Sequence, residues 1–145
     1  NRLKWYCIDG GVICLLVTRE MDYAMRVVRA LGRQEGLTSA AGIAEEERMQ
    51  KAVTLKILKR LAAAGIVEGR RGIAGGYRLK RPLEQLSLYD LFCVFGKEPL
   101  LNRCQAADYR CENHPDGNCG TCRELCRIQE ILNAELRKTP LSQLF

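Results

Sequence analysis

Residues 50–80 have the sequence QKAVTLKILKRLAAAGIVEGRRGIAGGYRLK. Its first part carries apolar side chains at helical spacing, at Val53, Ile57, Leu58 and Leu61. We expect a helix that begins near Met49 or Gln50 and ends at Ala64-Gly65, because glycine is the usual residue after a helix. The polar and cationic residues of this helix are expected to face outward.

A β-hairpin is expected directly after this helix. Three glycines in residues 71–76 allow the positive φ angles that a tight hairpin needs. The two short strands should span residues 66–70 and 77–80. Three arginines lie in or beside the turn, at Arg70, Arg71 and Arg78. The stretch therefore predicts a helix followed by a basic hairpin.

Four further helices complete the pattern, since apolar residues recur at helical spacing on both sides of this stretch. They are expected at residues 18–32, 39–46, 88–95 and 121–138. Thr18 and Ser87 are suitable N-caps for the first and the third of them. The fold class is therefore mainly α with a small β-hairpin wing: a winged helix-turn-helix followed by a long C-terminal helix.

Positive charge is concentrated in the same part of the chain. The formal net charge is +6, but residues 48–81 hold ten basic residues and one acid, a local charge of +9. The rest of the chain is net negative. A solvated face with no partner would mix both signs, so this distribution favours double-stranded DNA as the partner.

The predicted third helix and the wing divide the DNA contacts between them. Gln50 and Thr54 lie one turn apart near the N-terminus of the helix, where side chains can reach base edges. Lys51, Lys56 and Lys59 suit phosphates, and Arg71 at the hairpin tip suits a narrow minor groove, with Arg70 and Arg78 beside it. The alternative is a basic winged helix that contacts protein.

Five of the eight cysteines lie within 23 residues, at spacing C-x6-C-x7-C-x2-C-x3-C. They are Cys104, Cys111, Cys119, Cys122 and Cys126. The residues between them, rich in Asn, Asp, Gly and Pro, predict an irregular loop on which several thiolates can converge, as iron–sulphur clusters need. Zinc is the alternative, since Cys119-x-x-Cys122 is a common half-site. The one histidine, His114, lies in this loop.

Several other classes of protein are disfavoured. No segment has the pattern of a signal peptide, and the apolar run at residues 12–17 is too short to span a membrane, so we expect a cytoplasmic protein with no membrane contact. Clustered cysteines in such a protein bind metal or undergo redox chemistry more often than they form disulfides. No Ser/His/Asp set is present, and the +9 segment argues against an electron carrier, so we expect no enzyme.

Several short motifs resemble the IscR/NsrR-like family of bacterial transcription regulators. They are Asp22-Tyr23-Ala24-Met25-Arg26, Ala64-Gly65-Ile66-Val67, Arg71-Gly72-x-x-Gly75-Gly76-Tyr77-x-Leu79, Leu86-Ser87-Leu88-x-Asp90 and Thr139-Pro140-Leu141. The resemblance covers about residues 15–145. It implies a homodimeric winged-helix repressor or activator that binds a partly palindromic operator. Many members carry a [2Fe–2S] or [4Fe–4S] cluster, and others respond to a thiol-related signal or a partner protein.

The resemblance also implies a ligand set. Cys104, Cys111 and Cys119 match the three loop cysteines of cluster-binding members, although the gaps of six and seven residues exceed the five common there. Cys122 takes the position of the fourth ligand of IscR-like proteins, and Asp22 that of NsrR-like proteins. Cys126 and His114 are reserve ligands, and Cys126 is also a candidate redox thiol.

The resulting hypothesis divides the chain into four parts. These are an N-terminal extension (1–14), the DNA-binding domain (15–96), a cysteine-rich sensor loop (97–122), and a dimerisation helix with its tail (123–145). The function predicted is a regulator that senses redox state, nitric oxide or iron–sulphur status through a cluster. The alternatives are a cluster-free regulator with a thiol/disulfide switch and a zinc-stabilised DNA-binding protein.

Overall fold

The computed structural model describes residues 17–72, 74–95, 100–106 and 108–145. The predicted N-terminal extension, residues 1–14, lies outside these ranges. The described part contains five α-helices and one two-stranded antiparallel sheet, which confirms the predicted fold class. The helices are α1 (Arg19–Gly32), α2 (Ala40–Glu46), α3 (Lys51–Ala63), α4 (Leu88–Phe95) and α5 (Gly120–Lys138), and the strands are β1 (Val67–Arg70) and β2 (Gly76–Leu79).

The helix ends follow the local chemistry of the sequence. The side chain of Thr18 accepts a hydrogen bond from the Met21 N–H at 3.3 Å and caps α1, and Ser39 caps α2 through the Gly42 N–H at 3.0 Å. Helix α3 is followed by Gly65 at φ +70°, a conformation that glycine adopts without strain. These boundaries agree with the predicted ones to within two residues.

The core is formed where α1, α2 and α3 meet. The apolar side of α1 contributes Val27, Val28 and Leu31, and α3 contributes Ile57, Leu58 and Leu61, all of them buried. Each such side chain contributes about 1.5–3 kcal/mol when it leaves water. This burial fixes which side of α3 faces the core and which side faces outward.

The wing is attached to the helices by a short backbone bridge. Strands β1 and β2 pair with Val67 opposite Leu79 and Arg70 opposite Gly76. Thr38, between α1 and α2, exchanges two backbone hydrogen bonds of 2.9 Å with Tyr77 of β2. A Cβ atom on Gly76 would lie 2.8 Å from the Thr38 carbonyl oxygen, so this close approach requires glycine. The bridge fixes the wing beside the three-helix core.

A second junction connects the end of the chain to α4. The Leu141 N–H donates to the Leu86 carbonyl at 2.8 Å, and the backbones of Ser87 and Pro140 form an isolated antiparallel β-bridge. Asp90 accepts hydrogen bonds from the Ser87 N–H at 2.8 Å and the Ser87 hydroxyl at 2.6 Å. Burial raises the pKa of Asp90, but the bonds from Ser87 and Arg81 outweigh it and hold this pKa below its usual range.

This junction leads to a pH-dependent prediction for Asp90→Asn. Because the folded pKa of Asp90 is lowered, its ionised form stabilises the fold above the unfolded pKa of about 3.9, and this contribution is lost as pH falls through the folded pKa. We expect the free energy of unfolding of the variant at pH 7 to be about 1–2 kcal/mol lower than that of wild type. Urea unfolding between pH 7 and pH 3 should show the two curves converging in acid. A difference independent of pH would contradict the assigned role of the charge.

Candidate nucleic-acid interface and cysteine cavity

The outward side of α3 is a cationic surface with an apolar centre. Lys51, Leu55 and Lys59 follow one another at intervals of one turn, and Ala52 and Lys56 lie beside them, all exposed. Gln50 is the N-cap residue, but its exposed side chain makes no capping hydrogen bond. The polar and cationic residues of α3 that were predicted to face outward are therefore exposed, with one exception.

The exception is Thr54, whose predicted outward orientation is wrong. Its exposed fraction is 0%, and its hydroxyl donates to the Gln50 carbonyl at 3.2 Å. Thr54 precedes Ile57 and Leu58 by three and four residues, so it lies on the buried side of α3. The hydroxyl is satisfied by the helix backbone, which removes the cost of burying it. Thr54 therefore does not face the solvent as a base-reading residue would.

The cations of this surface fall into two groups. Lys56 donates to Glu20 of α1 at 2.6 Å, and Arg78 donates to Glu68 on the opposite strand at 2.5 Å. The hydrogen bond from Lys56 lowers the pKa of Glu20. The other cations have no carboxylate partner within the described ranges: Lys51, Lys59, Arg70 and Arg71. The unpaired group is the one whose charge is available to an anion.

Arg60 has a structural position that the count of basic residues in the sequence did not reveal. Its guanidinium donates to Glu20 at 2.7 Å and to the Val94 carbonyl at 2.8 Å, and it lies 4.5 Å from the centre of the Phe95 ring. It therefore connects α3 to the start of α1 and to the end of α4. These contacts join residues 34 and 40 positions apart, so no local pattern could have predicted them.

Four of the clustered cysteines line one cavity of about 370 Å³. They are Cys104, Cys111, Cys119 and Cys122, the four predicted metal ligands, and His114, Tyr109 and Arg110 complete much of the wall. Cys119 is the N-cap residue of α5, and Cys122 lies in its first turn. Within the part of the chain that the structure describes, no three such donors already converge closely enough to hold a metal ion.

The sulphurs nevertheless share one neighbourhood. Partial burial raises the pKa of the Cys122 thiol, and the nearby thiols of Cys126, Cys104 and Cys119 raise it further. Cys126 follows Cys122 by one helical turn, so the two side chains lie on the same side of α5. Asp22 pairs instead with Arg26 at 2.9 Å, and Cys93 is an exposed thiol on α4 that does not line the cavity.

The segment that carries Cys104 is fixed to α5 by polar contacts that the sequence did not predict. The Leu101 N–H donates to the side chain of Gln129, a buried residue of α5, at 2.8 Å. Asn102 then accepts from the Cys104 N–H at 3.4 Å. Cys104 is thereby positioned against the same helix that begins at Cys119.

A family model described as an iron-dependent transcriptional regulator, Rrf2, matches residues 17–145. The chain belongs to the Rrf2 family. The chain is 31% identical over 97 residues to protein aau3 of Rhizobium meliloti (strain 1021), a match that covers 66% of the chain and 63% of aau3. Its resemblance to the IscR/NsrR-like regulators is thus confirmed.

Solved structures share the fold of this Rrf2-family chain. CymR, the global cysteine regulator of B. subtilis, superposes with a TM-score of 0.67 at 24% identity, over 88% of this chain and 94% of CymR. T. potens IscR superposes with a TM-score of 0.66 at 21% identity, over 90% of this chain and 86% of IscR. Among the described residues, no helix combines the length and apolar character needed to cross a membrane.

The burial of Thr54 generates a prediction for this interface. Thr54→Val keeps the shape of the side chain and removes its hydrogen bond to the Gln50 carbonyl. We expect a loss of about 1 kcal/mol of stability and an unchanged base preference when the protein selects from random DNA. Gln50→Ala is the matched variant at the exposed N-cap position of the same helix, and its base preference is measured in the same way. A changed base preference in Thr54→Val alone would contradict the buried orientation.

Proposed function

We propose that this Rrf2-family chain is a homodimeric, DNA-binding repressor or activator of the bacterial cytoplasm that holds an iron–sulphur cluster in its cysteine cavity. The observation that carries the proposal is that four thiols line one cavity at the start of α5, in a chain whose α3 and wing expose unpaired cations. The state of a cluster held there would set the affinity for DNA, so that the protein would report redox state, nitric oxide or iron–sulphur status.

The DNA-binding part of the proposal is supported by α3 and the wing. Gln50 offers an amide to base edges, and Lys51 and Lys59 offer charge to phosphates from the two ends of the exposed face of α3. Arg70 and Arg71 extend the cationic surface onto the hairpin, where they reach a neighbouring groove or backbone. Lys56 and Arg78 contribute less, because each is already paired with a carboxylate.

The dimer is supported by the exposed apolar side of α5. Ile128 is 39% exposed and Ile131 is 51% exposed, and successive large apolar residues on one helix need a partner surface. A second copy of the chain, related by a two-fold axis, supplies an identical surface. Two winged-helix units related in this way would bind two half-sites, so the proposed dimer predicts a partly palindromic operator.

The donor set of the cavity fits an iron–sulphur cluster. Four thiols are the ligands that such clusters use, and Cys111 lies on an irregular segment, outside the helices and strands, that borders the same cavity as Cys119 and Cys122. Since no three donors in the described ranges are already convergent, a cluster held by these thiols would require the segment of Cys111 to move towards Cys119 and Cys122. When bound, the cluster supplies a centre that responds to oxidants and nitric oxide.

Closure of the cysteine segment would be transmitted through α5. Cys119 and Cys122 belong to the start of this helix, and Cys104 is positioned against it through Leu101 and Gln129. A shift of these residues moves α5 and resets the distance between the two DNA-binding units of the dimer. The change is allosteric only if the two states differ in their affinity for DNA.

The two classes of wing arginine give a prediction about salt dependence. We expect Arg71→Ala to weaken DNA binding and to reduce the slope of log K against log salt by about 0.9, the value for one lost phosphate contact. Arg78→Ala should change the slope less, since Glu68 already neutralises Arg78. Titrations with a fixed duplex at several salt concentrations test this. Equal slopes for wild type and Arg71→Ala would show that Arg71 contacts no phosphate.

A cysteine variant tests the ligand set. We expect Cys104→Ala, purified and reconstituted without oxygen, to lose iron, sulphide and visible colour while the dimer persists in light scattering. Cys93→Ala is the matched control, because this exposed cysteine does not line the cavity, and it should keep the cluster. Full loading of Cys104→Ala would shift the ligand set towards Cys126 or His114. If wild-type protein contains zinc and no sulphide, the cavity is a zinc site and not a cluster site.

The spacing of Cys122 and Cys126, one helical turn apart on α5, favours a second candidate, a thiol switch without a cluster. Two thiols and hydrogen peroxide give one disulfide and two waters. Side chains four residues apart on a helix have Cβ atoms about 5–6 Å apart, whereas a disulfide needs about 3.8 Å. The bond would therefore distort the start of α5. Peptide mapping after peroxide treatment of colourless protein identifies or excludes this disulfide.

A further inference from the structure

Leu55 occupies the centre of the exposed side of α3. It is 41% exposed, and Lys51 and Lys59 lie one turn before and one turn after it. Ala52, three residues earlier, is also exposed and adjoins Leu55 on the helix surface. The result is a small apolar surface bordered by cations, on the helix that the proposed function places against DNA.

This apolar surface is not part of the protein core. The buried side of α3 is formed by Thr54, Ile57, Leu58 and Leu61, and Leu55 lies outside that set. A protein partner that covered Leu55 would also have to remove Lys51 and Lys59 from water, which is costly without matching acids. DNA supplies the anions for both lysines, so the occupant that fits this surface is a DNA groove.

The major groove offers one apolar group at its base edges, the 5-methyl group of thymine. We propose that Leu55, together with Ala52, contacts a thymine methyl group in the major groove and thereby sets a base preference. The inference rests on the proposed DNA-binding function and adds a specificity-determining contact to it. The lysines on either side bind phosphates and carry no sequence information, so they cannot set this preference.

The size of the effect follows from the area of one methyl group. Burying one such carbon contributes about 0.8 kcal/mol, which corresponds to about a fourfold change in affinity at 25 °C. Removing the methyl from the DNA should therefore weaken binding about fourfold. The same change should have little effect on a protein that lacks the Leu55 side chain.

The test uses the full chain and a pool of random DNA duplexes, from which bound sequences are enriched. Each thymine of the enriched site is then replaced in turn by deoxyuridine, which lacks only the 5-methyl group. Affinities are measured for wild type, Leu55→Ala and Lys59→Ala by fluorescence anisotropy. Leu55→Ala should fold, because Leu55 is exposed and alanine favours helix, and circular dichroism checks this.

We expect wild type and Lys59→Ala to bind about fourfold more weakly when deoxyuridine replaces thymine at one or two positions. Leu55→Ala should bind the thymine and deoxyuridine duplexes equally well at those positions. Lys59→Ala should bind all duplexes more weakly. Wild type that treats thymine and deoxyuridine alike, or Leu55→Ala that still discriminates, overturns the inference. So does a change in the oligomeric state of Leu55→Ala, which would assign Leu55 to a protein contact.

The failure of the proposed function has a different signature. A protein that binds no duplex in the pool at low salt is not a DNA-binding regulator, and the inference falls with it. A protein that binds the pool but enriches no sequence retains its cationic interface. In that case Leu55 sets no base preference, and only the inference is overturned.

Discussion

The packing of α3 against α1 is the constraint on which the other features depend. Ile57, Leu58 and Leu61 have no exposed surface, so the rotation of α3 about its own axis is fixed. Lys51, Leu55 and Lys59 then face outward as a consequence. The wing follows from the same helix, because Gly65 ends it and the Thr38–Tyr77 bridge fixes the hairpin beside it. The cationic surface is thus a product of core packing.

The helices and the hairpin could be predicted because their signals are local. Apolar periodicity, the caps at Thr18 and Ser39, and the glycine-rich turn each involve residues close together in the sequence. The prediction for Thr54 is wrong because polarity is a weaker signal than position along the helix. Thr54 lies three and four residues before Ile57 and Leu58, and this spacing already placed it on the buried side. Periodicity was the better signal there.

The contacts of the interface and the cavity could not be predicted because they are long-range. Glu20 pairs with Lys56, which is 36 residues away in the sequence. Gln129 accepts a hydrogen bond from Leu101, which is 28 residues away, and so holds the segment that carries Cys104. Neither residue stands out by type or spacing. The cysteine spacing did identify the four residues that line the cavity, but it gave no indication of how near the sulphurs come to each other. That distance depends on how residues 108–119 fold, which short-range rules leave open.

The junction of the chain's end with α4 has a mechanical consequence for α5. The C-terminal end of this helix is held by the Leu141–Leu86 hydrogen bond and by Arg137, whose guanidinium lies over the Tyr89 ring at 3.4 Å. The cysteines are at its other end, and 19 residues span about 28 Å. A helix held at one end turns when its other end is displaced. A shift of about 2 Å at the sulphurs would thus tilt α5 by about 4° over that length. Any reaction that displaced the sulphurs would in this way change the angle of α5.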